Sequence, residues 1–265
     1  MRGIRRNVYI YCRLISQQLK AILEYQGDFW ITLAAGALSQ TLGFIFLWVL
    51  YENIHEINGW QLWEIVLLYA MIYFTEGVGS AFFDGIWVIG MYVNRGEFDR
   101  MLLRPIPPLT QVLGSGVGMN GFGNLIMGSI LIIQSLRRLH IQWNLIKAGF
   151  TLLLLISAVV IRASINIVAN SASFWIKANN NSLAYMTHSV GDLAKYPLSV
   201  FPAAVKAVIC VAVPYAFVSY FPVSYLLGKD GWILGMCTPL AAVLCMVIAA
   251  CVFYRGLGLY ESVGN

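Results

Sequence analysis

A charged, proline-rich segment from Asn94 to Pro108 holds the side chains best suited to contact a polar partner. Its charged residues fall close together in a chain of which only 11% of residues are charged. A charge at the centre of a lipid bilayer costs at least about 2.5 kcal/mol, so this segment must lie outside lipid. Membrane proteins often contact soluble partners through such segments. The cluster therefore predicts a docking surface, with the charges Arg95, Glu97, Asp99, Arg100 and Arg104.

Glu76 and Arg162 are the charged residues that fall deep inside apolar stretches. They lie at similar distances from the ends of those stretches, so their depths in a membrane could match. An ion pair between them would relieve the cost of burying both charges. The alternatives are that Arg162 extends to the lipid headgroups and that Glu76 faces an aqueous cleft or is protonated.

Catalytic and metal chemistry are poorly supported. His188 and Asp192 are four residues apart and would share a helix face, but two ligands do not close a metal site. Ser115 lies between two glycines, yet no histidine falls mid-span to activate it, which argues against an intramembrane enzyme. The cysteines form no CxxC pair, so no zinc site or disulfide framework is indicated. We expect no catalytic residue, bound cofactor or metal in this chain.

The composition is that of an integral membrane protein. The mean hydropathy is +0.73 and 59% of residues are hydrophobic, against about 45–50% for a soluble domain. At roughly 20 residues a span, the chain has room for about six transmembrane helices and no separate soluble domain. We therefore expect an all-α membrane protein in which residues 1–265 form one domain. The net charge of +5 is dispersed around the apolar blocks, which fits membrane topology rather than nucleic-acid binding.

The hydrophobic pattern predicts the elements in order. Residues 1–26 have helical periodicity with a basic face, which is typical of an amphipathic helix lying in the membrane surface. Predicted spans follow at about 29–51, 62–83, 109–135, 145–169, 197–220 and 232–254. A charged segment, 84–108, separates the second and third spans, a polar interval covers 170–196, and a short turn covers 221–231. Gly114 and Gly118 form a GxxxG pair in the third predicted span, which indicates close helix packing.

The distribution of lysine and arginine predicts the orientation. With the N-terminus in the cytoplasm, twelve of the 17 Lys and Arg residues fall in cytoplasmic segments. Four fall outside, and Arg162 lies within a span. The positive-inside rule therefore places both termini in the cytoplasm, although Arg137 and Arg138 oppose it locally.

Three sequence pieces resemble the permease subunits of type-2 ABC exporters, in the branch of short six-span permeases without a soluble domain. The first is Arg95-Gly96-Glu97-Phe98-Asp99 followed by Leu102-Leu103-Arg104-Pro105. The second is Ser173-Phe174-Trp175. The third comprises Tyr196-Pro197 through Pro202, then Val213-Pro214 and Phe221-Pro222. The resemblance covers essentially the whole chain.

The resemblance implies an architecture and a set of partners. The implied architecture has an interfacial N-terminal helix, six spans, a cytoplasmic coupling helix between spans two and three, and a short external re-entrant element at 221–231. The implied partners are two ATPase subunits, which carry ATP and Mg²⁺, and a second permease that is a copy of this chain or a related one. This chain has no Gly-x-x-x-x-Gly-Lys-Ser/Thr phosphate loop, so hydrolysis would fall to the ATPases. The residues expected to couple to them are Arg95, Glu97, Phe98, Asp99, Arg100 and Arg104.

The resemblance also implies where two permeases would meet and what they would move. Spans one and five are the expected seam or pathway, which makes Ser39, Gln40, Thr41, Ser219 and Tyr220 its candidate residues. The alternative for the hydroxyl groups among them is local hydrogen bonding to the helix backbone. The apolar, aromatic spans favour an amphiphilic or hydrophobic cargo: a drug, peptide, lipid or glycan. A secondary transporter or channel that works without ATPases is the alternative function, although no convincing internal repeat supports it. The expected location is a bacterial cytoplasmic membrane.

Overall fold

The computed structural model describes residues 2–24, 26–54, 56–176 and 181–261. Within these ranges the chain is helical and forms no β-strand, which confirms the predicted fold class. Positions 1, 25, 55, 177–180 and 262–265 of the predicted segments lie outside the described residues. The helices are α1 (Arg2–Glu24), α2 (Gln26–Asn53), α3 (Leu62–Phe83), α4 (Ile89–Asn94), α5 (Phe98–Leu102), α6 (Pro108–Leu113), α7 (Met119–Arg138), α8 (Leu145–Ser171), α9 (Ser182–Leu193), α10 (Ala203–Ala207), α11 (Tyr220–Leu227), α12 (Trp232–Met236) and α13 (Thr238–Gly258).

Five helical runs among the described residues are long and apolar enough to cross a membrane, and a sixth candidate is a bent pair of helices. The five runs are Gly27–Glu52, Leu62–Asn94, Met119–Arg138, Leu145–Phe174 and Thr238–Gly258. They define two ends of the bundle. The loop end holds residues 54, 56–61, 139–144 and 228–231. The other end holds residues 84–118 and is called the elbow end after the charged segment 95–107 between α4 and α6, which is called the elbow.

The most extensive helix contact among the described residues joins α3 to α7. A Cβ atom added to Gly121 would lie 2.6 Å from the backbone nitrogen of Ala81, and one on Gly128 would lie 2.7 Å from that of Phe74. A Cβ on Gly77 would collide with the backbone nitrogen of Leu125. The glycines therefore let the two backbones touch, as small residues do between membrane helices.

The third span begins later than the sequence pattern predicts. Residues 109–135 were expected to form one span, but α6 ends at Leu113 and α7 begins only at Met119. Gly114 and Gly118 therefore lie in the connection and not on a packing face of the span. In the other direction, helical structure after α3 continues through a 3₁₀ segment and α4 to Asn94. The charged elbow is thus shorter than the predicted segment 84–108.

The fifth crossing is made by α9 and the residues after it, which corrects the predicted span 197–220. At the elbow end, Asn181 Nδ2 donates to the carbonyl oxygen of Trp87 over 2.7 Å. At the loop end, Asn58 Nδ2 donates to the carbonyl oxygen of Ser199 over 3.3 Å. Residues 181–199 therefore pass from one end of the bundle to the other. The polar interval crosses because its polar side chains find partners inside the bundle.

The segment predicted as span five is a re-entrant hairpin instead. Its two halves, Ala203–Ala212 and Tyr215–Leu227, meet at an angle of 73°. The bend falls at Pro214, which has no N–H to continue a helix. After the second half, Lys229 Nζ donates to the carbonyl oxygen of Gly59 over 2.6 Å, so the chain has returned to the loop end. The predicted element 221–231 covers only the later part of the returning half and the residues after it.

Replacing Gly77 by alanine should destabilise the protein by about 1–3 kcal/mol, because the added methyl group must push two backbones apart. Gly79 is the matched control, since a Cβ at that position meets no atom within 4 Å. Thermal unfolding of the two purified variants in detergent would compare them directly. Equal melting temperatures for Gly77→Ala and Gly79→Ala would contradict the close packing of α3 on α7.

Candidate functional site: the elbow and a polar vestibule

The elbow contains a short helix, α5, which lies between Gly96 on one side and Pro108 on the other. Gly96 has φ +71°, a left-handed conformation that glycine adopts without steric cost, and it turns the chain after α4. Five residues of α5 follow. Pro108 occupies the first position of α6, where the missing N–H would have no helical partner in any case. The turn is therefore fixed at both sides by backbone chemistry.

Phe98 fastens the elbow to the membrane helices. Its side chain is 0% exposed. Its ring centroid lies 5.4 Å from that of Phe174, 5.7 Å from that of Tyr260 and 6.4 Å from that of Phe253. Phe174 ends the α8 run, Phe253 lies in α13 and Tyr260 follows α13. A displacement of α5 would therefore act on both of these helices. Phe98 was predicted to couple to an ATPase together with the charged residues, but it lies inside the subunit and not on the outward face of the elbow.

The outward face of the elbow is basic and apolar. Leu103 is 87% exposed, and Arg95, Arg100 and Arg104 are exposed as well. Glu97 and Asp99 are only partly exposed. The structure therefore brings the predicted charges onto one short element but presents mainly its arginines outward.

Two sets of hydrogen bonds hold the elbow in place. Gln111 Nε2 donates to the carbonyl oxygens of Met101 and Ile106 over 2.8 and 2.9 Å, which ties α6 to α5 and to the proline segment. Side chains of α1 bind the backbone around the elbow: Arg6 donates to Pro105, Tyr11 to Phe82 and Gln18 to Ser115. Burial and the neighbouring Cys12 raise the pKa of Tyr11 to about 12, so its hydroxyl stays a donor at neutral pH.

Arg162 and Glu76 lie in contact in the middle of the bundle. Arg162 Nη2 is 3.2 Å from Glu76 Oε2, and Arg162 Nη1 donates to the carbonyl oxygen of Ile72 over 3.3 Å. The guanidinium also lies 5.6 Å from the ring centroid of Tyr215. Arg162 is only 2% exposed, so it does not extend to the headgroups. The pair joins α3, α8 and the bend of the re-entrant hairpin.

The α9 helix adds further polar contacts to this centre. His188 Nε2 lies 3.3 Å from Glu76 Oε1. Asp192 Oδ1 lies 2.7 Å from Lys195 Nζ, which in turn donates to the hydroxyl of Tyr73 over 2.6 Å. His188 and Asp192 thus bind different partners and do not form a dyad. No group of three metal-binding side chains occurs within the described ranges.

A polar vestibule of about 540 Å³ opens beside the ion pair in the elbow-end half of the bundle. Its walls come from α3, α8, α9, the start of α7 and the 3₁₀ segment after α3. Polar and aromatic side chains alternate around it, with Glu76, Ser80, Asp84, Trp87, Asn166 and Tyr185 among them. Such a half-open, mixed cavity can hold a drug-sized molecule.

The predicted seam residues divide into two groups. Gln40, Ser219 and Tyr220 are buried inside the subunit: Gln40 Nε2 donates to Asn124 Oδ1 over 2.9 Å and Ser219 Oγ to the carbonyl oxygen of Ala194 over 2.6 Å. These three side chains therefore do not face another subunit, which corrects the prediction. Thr41 donates to the carbonyl oxygen of Ala37 over 2.8 Å, as in the backbone-bonding alternative. Ser39 is exposed.

Sequence reasoning missed Lys195 and its contact with Tyr73. The signal was present, because His188, Asp192 and Lys195 recur at intervals of four and three and so share one helix face. It also missed the ion pair at the loop end between Lys229 Nζ and Glu64 Oε2, which lie 2.5 Å apart. These residues are distant in sequence, and no local pattern relates them.

Comparison with known proteins identifies the family. No curated protein and no solved structure is detectably similar to the chain. The sequence model of the ABC-2 family transporter proteins matches residues 37–264, which is most of the chain and includes the elbow, the ion pair and the vestibule. Proteins of this family are the membrane component of ABC transporters and not the ATPase. The chain therefore belongs to the ABC-2 family of transporter proteins, as a multi-pass membrane permease.

Proposed function

We propose that this chain forms half of the translocation pathway of an ATP-driven exporter in a bacterial cytoplasmic membrane. Its cargo is amphiphilic or hydrophobic: a drug, peptide, lipid or glycan. Both termini face the cytoplasm, and so does the elbow. The family membership supports transport, and the elbow is the observation that supports coupling to an ATPase.

The geometry of the elbow suits a coupling element. An ATPase that closes on nucleotide must move the spans through a rigid connection, and α5 has one through the buried ring of Phe98. The exposed side chains of Leu103, Arg100 and Arg104 offer one apolar and two charged contacts to a groove. The buried connection and the exposed side chains together support a coupling role for this segment.

The proposed assembly contains two ATPases and two permeases. ABC-2 permeases work with ABC ATPase subunits, and the nucleotide and Mg²⁺ belong to those subunits. The second permease is a copy of this chain or a related one. It packs against α2, whose apolar side chains are largely exposed in the isolated subunit, with Trp30, Ile31, Leu38 and Phe46 among them. Ser39 lies on this exposed helix, and the remaining apolar surface faces the lipid bilayer.

Reversing the charge of both exposed arginines, Arg100→Glu with Arg104→Glu, should release the ATPase from the complex. The reason is that these side chains face outward, so their loss removes docking contacts without disturbing the core. The measurement is the intact mass of the complex purified through a tag on the permease after expression in its native host. We expect two ATPases and two permeases for the wild type, and the permease pair alone for the variant.

The control reverses two arginines at the opposite end, Arg137→Glu with Arg138→Glu, which changes the net charge by the same amount. This control should retain the ATPases. If the elbow variant also keeps them at wild-type occupancy and keeps its ATP hydrolysis, the elbow is not the docking site.

The orientation can be tested with single cysteines introduced into a cysteine-free chain. Asn58 and Asp230 lie at the loop end and Glu97 at the elbow end. Cysteines at the first two positions should react with an impermeant maleimide added outside intact cells, and a cysteine at 97 should react only after the membrane is opened. External labelling at position 97 would reverse the proposed orientation.

A further inference from the structure

Some oxygen acceptors in the polar vestibule lack a full set of hydrogen-bond donors. The Ser80 hydroxyl oxygen lies 3.0 Å from Asp84 Oδ1 and 3.1 Å from Asn120 Oδ1. A hydroxyl group has one proton, so it can donate to only one of these oxygens at a time. Asn166, which also lines the vestibule, is 8% exposed, and its Oδ1 has no partner among the described residues. A ligand with N–H groups could donate to the oxygens of Asp84 and Asn120 in place of Ser80.

The vestibule also carries an uncompensated negative charge. The charge of Glu76 is offset by Arg162 at 3.2 Å. Asp84 forms no salt bridge within the described part of the chain, where its Oδ1 accepts a hydrogen bond from the neutral Ser80 hydroxyl. A carboxylate that is partly shielded from water attracts a cation more strongly than one in bulk water. The ligand favoured by this charge is a cation.

Aromatic rings line the same cavity as the carboxylate. Trp87 and Phe83 line the vestibule, as does Tyr185. The Trp87 ring centroid lies 5.5 Å from that of Tyr185 and 6.0 Å from that of His188. The faces of such rings attract cations and also pack against apolar bodies. A ligand with a charged end and an apolar or aromatic body would use both features.

We propose that the vestibule is a binding site for an organic cation, with an N–H-bearing ammonium group at Asp84 and an apolar body against Trp87. The description of this ligand as cargo rests on the proposed function. An anion would meet the carboxylate of Asp84 and is disfavoured. A neutral polyol could satisfy the oxygen acceptors but would gain nothing from the charge. The experiment therefore compares a charged ligand with a neutral one.

The test compares two probes on the wild-type permease in lipid nanodiscs without any ATPase. Dansylcadaverine carries a primary ammonium on an aromatic body, and its N-acetyl derivative has the same body without the charge. Fluorescence titrations would be measured against empty nanodiscs to remove partitioning into lipid. We expect the ammonium probe to bind the protein at least tenfold more tightly than the neutral one. Equal affinities, or tighter binding of the neutral probe, would overturn the proposal.

Two matched variants locate the site. Asp84→Asn keeps an acceptor for Ser80 but removes the charge, and it should reduce the affinity for the ammonium probe at least tenfold while leaving the neutral probe unchanged. Asp230→Asn removes an exposed carboxylate at the loop end and should change neither affinity. If Asp84→Asn binds the ammonium probe as the wild type does, the cation does not bind here.

The outcomes for the two proposals can be separated. Probe binding requires no ATPase, so its failure would leave the coupling role of the elbow untouched. Conversely, the elbow variant that releases the ATPases should still bind the ammonium probe with wild-type affinity. Loss of that binding would show that the vestibule is not an independent site.

Discussion

The contact between Arg162 and Glu76 is the constraint on which the middle of this protein depends. A lone charge in the hydrocarbon layer is costly, and Arg162 is almost completely buried. Its guanidinium therefore binds a carboxylate on α3, a backbone carbonyl on the same helix and the ring of Tyr215. Through Glu76 the network also includes His188 on α9. This point therefore joins α3, α8, the fifth crossing (residues 181–199) and the re-entrant hairpin.

This centre explains why irregular backbone is tolerated inside the bundle. Non-helical backbone at membrane depth needs polar partners or a water-filled cavity. The bend at Pro214 lies beside Tyr215 and Arg162, and the polar residues of α9 bind Glu76 and Tyr73. The vestibule opens on the elbow side of the pair, and below it Phe98 connects the elbow to Phe174 and Phe253. The elbow and the vestibule therefore share the α8 run, so a displacement of the elbow would act on a helix that lines the vestibule.

The long apolar helices and the charged elbow could be predicted from sequence, because hydrophobic run length and charge density are local properties. The matching depths of Glu76 and Arg162 could also be predicted from their positions along two spans. The fifth crossing could not, because residues 170–196 are too polar to suggest a span until their partners on other helices are known. The hairpin around Pro214 has the composition of a span since it lies in the same apolar layer. Gln40, Ser219 and Tyr220 show a related limit: polarity indicates that a side chain needs a partner, but not whether that partner lies in the same subunit.

A double-mutant cycle on Glu76 and Arg162 tests the central role of their contact most directly. Thermal and denaturant unfolding would be measured in nanodiscs for Glu76→Gln, Arg162→Met and the double variant. Glu76→Gln leaves the buried charge of Arg162 without its partner and should cost roughly 3–5 kcal/mol. Arg162→Met should cost less, because Glu76 lines the open vestibule and still contacts His188. The double variant should cost clearly less than the sum of the two, because no unpaired charge remains. Additive effects, or single variants as stable as the wild type, would contradict the account.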